Sequence, residues 1–423
     1  MDESDGRHSA AERRTARARA LEFLTYLGPG LLVTVGFIDP GNWASNIAAG
    51  STYGYLLLWM VTLSTAMLIL LQHNAAHLGI ATGMCLSEAT TAHLPRWLGR
   101  AVLGTAVLAS VSTALAELLG AAVALDMLFK VPIKLGLLAT AAFALSMLLT
   151  NSYRRFEKVI IGFVSAIGVS FLYELLRVKV DWGAAASGWI TPAIPRGSMP
   201  VVMSVLGAVV MPHNLYLHSE VIQSRRWDLE DERTIKHQLR FEFFDTLFSM
   251  LVGWAINSAM ILLAASAFLA NGVEVSELPQ AERILEPLLG KASGAVFALA
   301  LLFSGLSSSM TAGMAGGSIV AGAFARPYDI RDRSTRLGAI VTLAGAAIVA
   351  VFVKDAFQGL VISQMLLSIQ LPVAVFSLVY LTSSRKVMGK YANSALGRAL
   401  LAAVGLAVTA LNALLFASLA LGR

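Results

Sequence analysis

The chain reads as an all-α polytopic membrane protein, on three observations. Of its 423 residues 57% are hydrophobic and only 14% charged, against about 25% charged in an ordinary soluble domain. Its apolar runs repeatedly exceed the ~20 residues that cross a bilayer as a helix. Of its 32 Lys and Arg residues, 23 fall in the amino-terminal tail and in every second connection, the bias that orients membrane helices. A soluble multidomain protein would need polar connections and shorter apolar runs. The single cysteine, Cys85, excludes a disulfide within the chain and a multi-cysteine metal site.

In chain order, residues 1–26 open with MDESDGRHSAAERRTARARA. This stretch is polar and Arg-rich, followed by an apolar run without a small-residue cleavage site, and it is expected as a cytoplasmic tail rather than a secretory signal. Hydropathy predicts eleven spans, near 27–49, 54–78, 98–128, 132–150, 156–177, 199–221, 239–270, 292–322, 337–353, 357–382 and 397–421. The basic segments YRRFEK, QSRRWDLEDERTIKHQLR and ARPYDIRDRSTR fall on the side of the tail. The amino terminus is therefore expected in the cytoplasm and the carboxyl terminus outside the cell membrane. The formal net charge of +6 describes a cytoplasmic collar rather than a nucleic-acid surface.

The connection at 179–198, rich in Gly and Pro and carrying Trp182 and Trp189, divides the spans into two groups of five. The predicted organisation is thus a first five-helix unit at 27–178, an extracellular loop at 179–198, a second unit at 199–383, and a cytoplasmic loop with span 11 at 384–423. Each unit opens with a broken helix. Span 1 contains Asp39, Pro40, Gly41 and Asn42, and span 6 contains Met211, Pro212, His213 and Asn214. Interrupted helices at corresponding positions of two halves mark the binding site of an inverted-repeat transporter.

The chemistry of the breaks points to a cation. Pro40 removes a backbone donor and Gly41 relaxes the backbone, which frees carbonyls near positions 36–38. Unpaired carbonyls in hydrocarbon cost several kcal/mol each unless something satisfies them. Asp39 adds an anionic oxygen and Asn42 a neutral one. Unwinding at Pro212 exposes the carbonyl of Ala208 or a neighbour beside the Met211 sulfur. Thioether sulfur suits softer transition-metal ions better than Mg²⁺ or Ca²⁺, and a site without several thiolates or imidazoles is labile rather than structural. Taken singly, an intramembrane acid can be a structural partner, Met211 a packing residue and each proline a kink; the conjunction carries the reading.

These stretches, DPGN in span 1 and AVVMPHN with LYLHSE in span 6, resemble the natural resistance-associated macrophage protein (Nramp) family of divalent metal transporters, in its bacterial MntH-like branch. LGIATGMCLSE, LAELLGAA, GLSSSMTAGMAG and SQMLLSIQLPVAV follow in family-like order over nearly the whole chain. The resemblance implies a LeuT-like 5+5 inverted repeat with an eleventh helix and import of Mn²⁺ or Fe²⁺ as substrate, without a resident cofactor. It maps metal ligands onto Asp39, Asn42, the Ala208 carbonyl and Met211, with the Gly36 carbonyl and Gln364 joining them. It also implies a proton route through Asp39, His213 and Glu117, with Arg336 on the cytoplasmic side. This chain departs from the family where relatives carry an aspartate three residues before Glu117, since Ala114 stands there. Thr335 precedes Arg336 in place of paired arginines, and AGGSIVAGAF lacks the usual glutamine and glutamate.

Proton-linked import and uncoupled or Mg²⁺ transport by a related carrier thus both stay open, although Mg²⁺-specific members tend to lose the methionine. An amino-acid or sodium-coupled carrier of the same architecture would need an acid-free first break to receive a substrate carboxylate, which Asp39 repels. An intramembrane metalloenzyme would need a retained metal and a water-activating base, and neither HExxH nor a second acid-rich motif occurs in the sequence. The expected partners are divalent ions, protons in the coupled case, and the lipid bilayer. Nucleic acid is not expected, a monomer can suffice, and the sequence does not fix the oligomeric state.

Overall fold

A helix that stops at Met211 and restarts at Pro212 lies at the centre of the bundle in the computed structural model, which describes residues 39–150, 168–176, 178–223, 232–273, 277–284 and 293–421 with the single positions 162, 275 and 290. The principal helices are α1 (Pro40–Tyr53), α2 (Leu58–Thr82), α3 (Leu86–His93), α4 (Arg96–Phe129), α5 (Ile133–Leu149), α6 (Trp182–Ile190), α7 (Met199–Val210), α8 (Pro212–Gln223), α9 (Glu232–Ala267), α10 (Ser293–Ala323), α11 (Arg333–Val351), α12 (Ala356–Ser383) and α13 (Ala395–Ala420). With α7 and α8 taken as one interrupted helix, eight spans among the described residues are long and apolar enough to cross a membrane, and α5 is a shorter apolar helix. No strand occurs among the described residues. Gly36, the tail and most of the fifth expected span lie outside them.

Local chemistry sets the ends. Asp39 caps α1, and Pro40 sits at its first helical position, where a missing N–H costs nothing. Left-handed glycines stop α1 at Gly54 (φ 61°) and α2 at Gly83 (φ 69°). Between α7 and α8 the stop is Met211, at φ 37° and ψ 85°, followed by Pro212 at the head of α8.

Helices in a bilayer gain nothing from apolar contact alone and approach through small residues. Gly207 of α7 lies on the Gln364 backbone of α12, Gly50 of α1 on the Ile261 carbonyl of α9, and Gly305 of α10 on the Glu117 carbonyl of α4. Gly120 of α4 receives the Pro40 ring, so that a Cβ there would overlap it. Large apolar side chains such as Leu108, Ile348, Phe376 and Leu406 point outward, as a lipid-facing surface requires.

Three features depart from the hydropathy pattern. The connection after α2 folds into α3, whose entry is a reciprocal cap between Cys85 and Glu88. The 179–198 connection contains α6, capped by Asp181 through the Ala184 N–H at 3.0 Å and joined to α9 by Trp189 Nε1 donating to Ser258 Oγ at 3.1 Å. Trp182, by contrast, is exposed. And α9 begins at Glu232, ahead of the expected 239, because ERTIKHQLR is too polar for a hydropathy window yet composed of adequate helix formers.

Near Gly83 the end of α8 is pinned. Leu86 N donates to Ser219 Oγ at 2.9 Å, Gln223 Nε2 to the Gly83 carbonyl at 3.0 Å, and Ser318 Oγ to Glu220 Oε2 at 3.0 Å. Tyr328, in the α10–α11 connection, borders this seal. Burial, then the charges of Glu220 and Asp329, push its phenol up to about 12, so it stays neutral at any physiological pH.

Candidate functional site at the two helix breaks

An α-helical carbonyl at position i is bonded by the N–H of i+4. Pro212 has none, so the Ala208 carbonyl lacks its helical donor; the same spacing links Pro40 to Gly36. Asn42 of α1 supplies the substitute, its Nδ2 donating to the Ala208 carbonyl at 3.0 Å. The same amide donates to Asp39 Oδ2 at 3.1 Å, while the Asn42 backbone N–H donates to Asp39 Oδ1 at 2.6 Å. One amide NH₂ group thus bridges the carboxylate of the first break and the free carbonyl of the second.

The Met211 sulfur has an amide partner of its own: Asn214 Nδ2 donates to Sδ at 3.2 Å. Sequence reasoning left Asn214 without a role, although its place in MPHN, three residues after Met211, is the signal for it. The Met211 side chain is buried with Ala109 and Leu367. A left-handed conformation in a residue other than glycine is strained, and here it turns the break at the position that carries the sulfur.

Gln364 closes the group from α12. Its side chain lies so close to Gly41 that a Cβ at Gly41 would overlap it, and its buried amide finds no hydrogen-bond partner among the described residues. From the other side, α4 presents Thr113, Glu117 and Gly120 on one face. Thr113 Oγ1 lies 3.1 Å from His213 Nδ1, Gly120 takes Pro40, and the Glu117 carboxyl lies near the like-charged Asp39 carboxyl and the Ser308 hydroxyl. Asp39, Asn42, Glu117, His213 and Gln364 are each at most 1% exposed.

Arg336 stands apart from this group. It lies exposed in the first turn of α11, its Nε donating to the Ile330 carbonyl at 2.9 Å. Its neighbour Thr335 is buried, accepting the Asp329 N–H at 3.3 Å. Gly36 lies outside the described residues. No cluster of three or more His, Cys, Asp or Glu among the described residues is arranged to hold a metal. An ion bound at the breaks would therefore rest on one carboxylate, neutral oxygens and a sulfur, a donor set suited to release rather than retention.

A helix broken inside the bundle, with the proline-led start of α1 hydrogen-bonded to the break, is an arrangement found in the inverted-repeat class of secondary transporters. Consistent with that class, the chain superimposes on a nucleobase-cation-symport-1 family transporter in a closed conformation, with TM-score 0.62 over 93% of this chain and 92% of the other at 15% identity. That likeness is one of fold alone and identifies the LeuT-type architecture. The model described as "Natural resistance-associated macrophage protein-like" matches residues 30–418, and the chain belongs to this Nramp family. It is 38% identical over 395 residues to a Granulibacter bethesdensis protein named divalent metal cation transporter MntH, covering 93% of this chain and 88% of that one. A Caldanaerobacter subterraneus protein of the same name is 35% identical over 415 residues, 97% of each chain. A crystal structure of the Eremococcus coleocola manganese transporter matches with TM-score 0.77 and 30% identity over 92% of this chain and 85% of that one.

Proposed function

We propose that this chain is a secondary transporter that carries divalent transition-metal ions, Mn²⁺ and Fe²⁺ among them, into the cell, with no enzymatic step. The observation that carries the reading is the Asn42 amide, which donates at once to Asp39 and to the Ala208 carbonyl. Rotating that amide about its Cβ–Cγ bond exchanges NH₂ for Oδ1, and a cation then takes the place of the two N–H donors. Its ligands are the Asp39 carboxylate, Asn42 Oδ1, the Ala208 carbonyl and Met211 Sδ, with Gly36 and Gln364 joining as the two halves move. Relatives named as divalent metal cation and manganese transporters support this reading.

The chain lies in the cell membrane with its amino terminus and the basic connections in the cytoplasm, so that the seal around Ser219 and Gln223 is the inner one. A proton moves with the metal through Asp39, His213 and Glu117. Because Arg336 is exposed and held by a loop carbonyl, and Ala114 replaces an acid, uncoupled import is the second reading.

The test is uptake by the full chain in proteoliposomes with an internal pH dye. Mn²⁺ entry with acidification supports coupled import, and Mn²⁺ entry without it supports the second reading. Absence of Mn²⁺ entry, or Mg²⁺ entry that excess Mn²⁺ does not suppress, contradicts both.

A further inference from the structure

A pair of imidazoles lies apart from the two breaks. His73 and His77 stand four residues apart in α2, a spacing that makes side chains neighbours on one helix face. Their rings are stacked, with planes 20° apart and centroids 6.1 Å apart. Neither is sealed in, since the His73 side chain is 29% exposed and His77 is half-buried.

Glu242 of α9 holds His73 from one side. Its Oε2 lies 2.7 Å from His73 Nδ1, while its Oε1 accepts from the Thr246 hydroxyl at 2.7 Å and lies 3.6 Å from His218 Nε2. A carboxylate can only accept, so the proton sits on Nδ1 of His73 and the lone pair of the neutral ring on Nε2. The Phe243 ring meets the same imidazole edge-on, with centroids 5.2 Å apart. A histidine that gives one ring N–H to a carboxylate and keeps the other nitrogen free is the form in which histidine ligates a metal. The tie between α2 and α9 accounts for His73 but not for His77, and an ionisable group in an apolar helix carries a cost that calls for a role.

The pair lies toward the end of the bundle that carries the basic connections. Asn74, next to His73, accepts from Asn393 Nδ2 at 2.9 Å, and Asn393 belongs to the connection between α12 and α13. The partner helix α9 starts with the polar ERTIKHQLR shortly before Glu242.

We propose that His73 and His77 form a second transition-metal site, separate from the one at the breaks, with Glu242 as the carboxylate that orients His73. The two rings turn toward each other, each gives one nitrogen to the ion at about 2.0–2.1 Å, and water completes the coordination. Two protein ligands make the site reversible. Its donors differ in kind from those of Asp39, Asn42 and Met211, and so does its preference. Imidazole suits Cu²⁺, Ni²⁺ and Zn²⁺, and affinity falls toward Fe²⁺ and Mn²⁺, so the ions proposed as cargo are the ones this site holds least. That the pair faces the cytoplasm rests on the orientation given with the transport reading; the site itself does not.

The experiment is a Cu²⁺ titration of the full chain, purified in detergent without a histidine tag and followed by electron paramagnetic resonance, which counts the nitrogens bound to the ion. The parent is expected to bind Cu²⁺ through two imidazole nitrogens. Asp39→Asn, which removes the carboxylate of the breaks, is expected to keep that spectrum. His73→Gln and His77→Gln are each expected to lose it, and Glu242→Gln to retain it with an affinity about 10–100-fold lower, the usual cost of losing a residue that orients a ligand. Absence of the two-nitrogen spectrum from the parent overturns the proposal, as does its persistence in both histidine variants or an unchanged affinity in Glu242→Gln. Where loss of the α2–α9 tie unfolds His73→Gln or Glu242→Gln, His77→Gln, which leaves that tie intact, decides alone. The spectra need no transport, so a chain that takes up no Mn²⁺ in proteoliposomes overturns the transport reading, while its two-nitrogen spectrum still supports the site.

Discussion

Asn42 and Asn214 perform the same service at two breaks. One places its amide NH₂ on a carboxylate and a free carbonyl, the other on a thioether. Both hydrogen-bond atoms that the proposed site offers a metal; on that reading the Asn42 amide turns for the ion to bind, whereas Asn214 holds the sulfur in place. Asn214→Leu removes the group that orients the Met211 sulfur and is expected to weaken Mn²⁺ binding by about 10–100-fold, the usual cost of losing a supporting residue around a metal; isothermal titration of the purified chain reads it. Met211→Ala should act on selectivity rather than on binding at large. With only oxygen donors left, Mg²⁺ and Ca²⁺ should compete with Mn²⁺ uptake more strongly than in the parent, and unchanged competition would show that the sulfur does not select. At this scale the sequence was informative about type and silent about partners. Asp39, Asn42 and Met211 stand out because an acid, an amide and a thioether flank prolines inside apolar runs. Nothing in the spacing of Asn42 and Ala208, 166 residues apart, tells which carbonyl the amide finds. The rule that a proline orphans the carbonyl four residues before it narrows the choice to Ala208.

Among the elements, the helix breaks are legible because proline leaves a signature in any apolar run, whereas the seams that hold the broken helices are not. Glycine is common in membrane helices, and only the packing distinguishes Gly207, pressed on the α12 backbone at Gln364, from Gly104, which has open space around it. Gly207→Ala is expected to destabilise the chain by about 1–3 kcal/mol, the range for overpacking, and Gly104→Ala to leave thermal unfolding in detergent unchanged or slightly raised. The helices α3 and α6 escaped the hydropathy pattern because they are short and lie between spans, where length and mean apolarity carry no signal. The seal that α3 helps to form has a built-in reporter in Cys85, the only thiol of the chain, buried beside Ser87 and near Glu220. Ser219→Ala removes the acceptor of the Leu86 N–H. It is expected to raise the rate of maleimide labelling at Cys85 by about fivefold, as losing one hydrogen bond worth about 1 kcal/mol allows. An unchanged rate would mean that this contact does not hold the seal.

For the molecule as a whole, composition and the length of the apolar runs carried most of the architecture, because a bilayer admits few alternatives to a helical bundle. What they could not reach was the interior polar design. Glu242 of α9 lies 2.7 Å from His73 of α2 and 3.6 Å from His218 of α8, and no motif links these three residues along the chain. The departures at Ala114 and Thr335, by contrast, were visible in the sequence, and the structure gives them a setting. Ala114 is buried on α4, and Arg336 lies at the rim rather than among Asp39, Glu117 and His213. On the proposed coupled reading, Glu117→Gln should reduce metal-linked acidification of proteoliposomes.

The central claim is that one cation replaces the Asn42 NH₂ group between the two breaks. Anomalous scattering from crystals of the full chain soaked in Mn²⁺ tests it most directly. The account predicts a single strong peak bounded by the Asp39 carboxylate, the Ala208 carbonyl and Met211 Sδ, with the Asn42 amide turned so that Oδ1 faces the ion. A peak elsewhere, or an Asn42 amide still donating to Ala208 with Mn²⁺ bound, would contradict it.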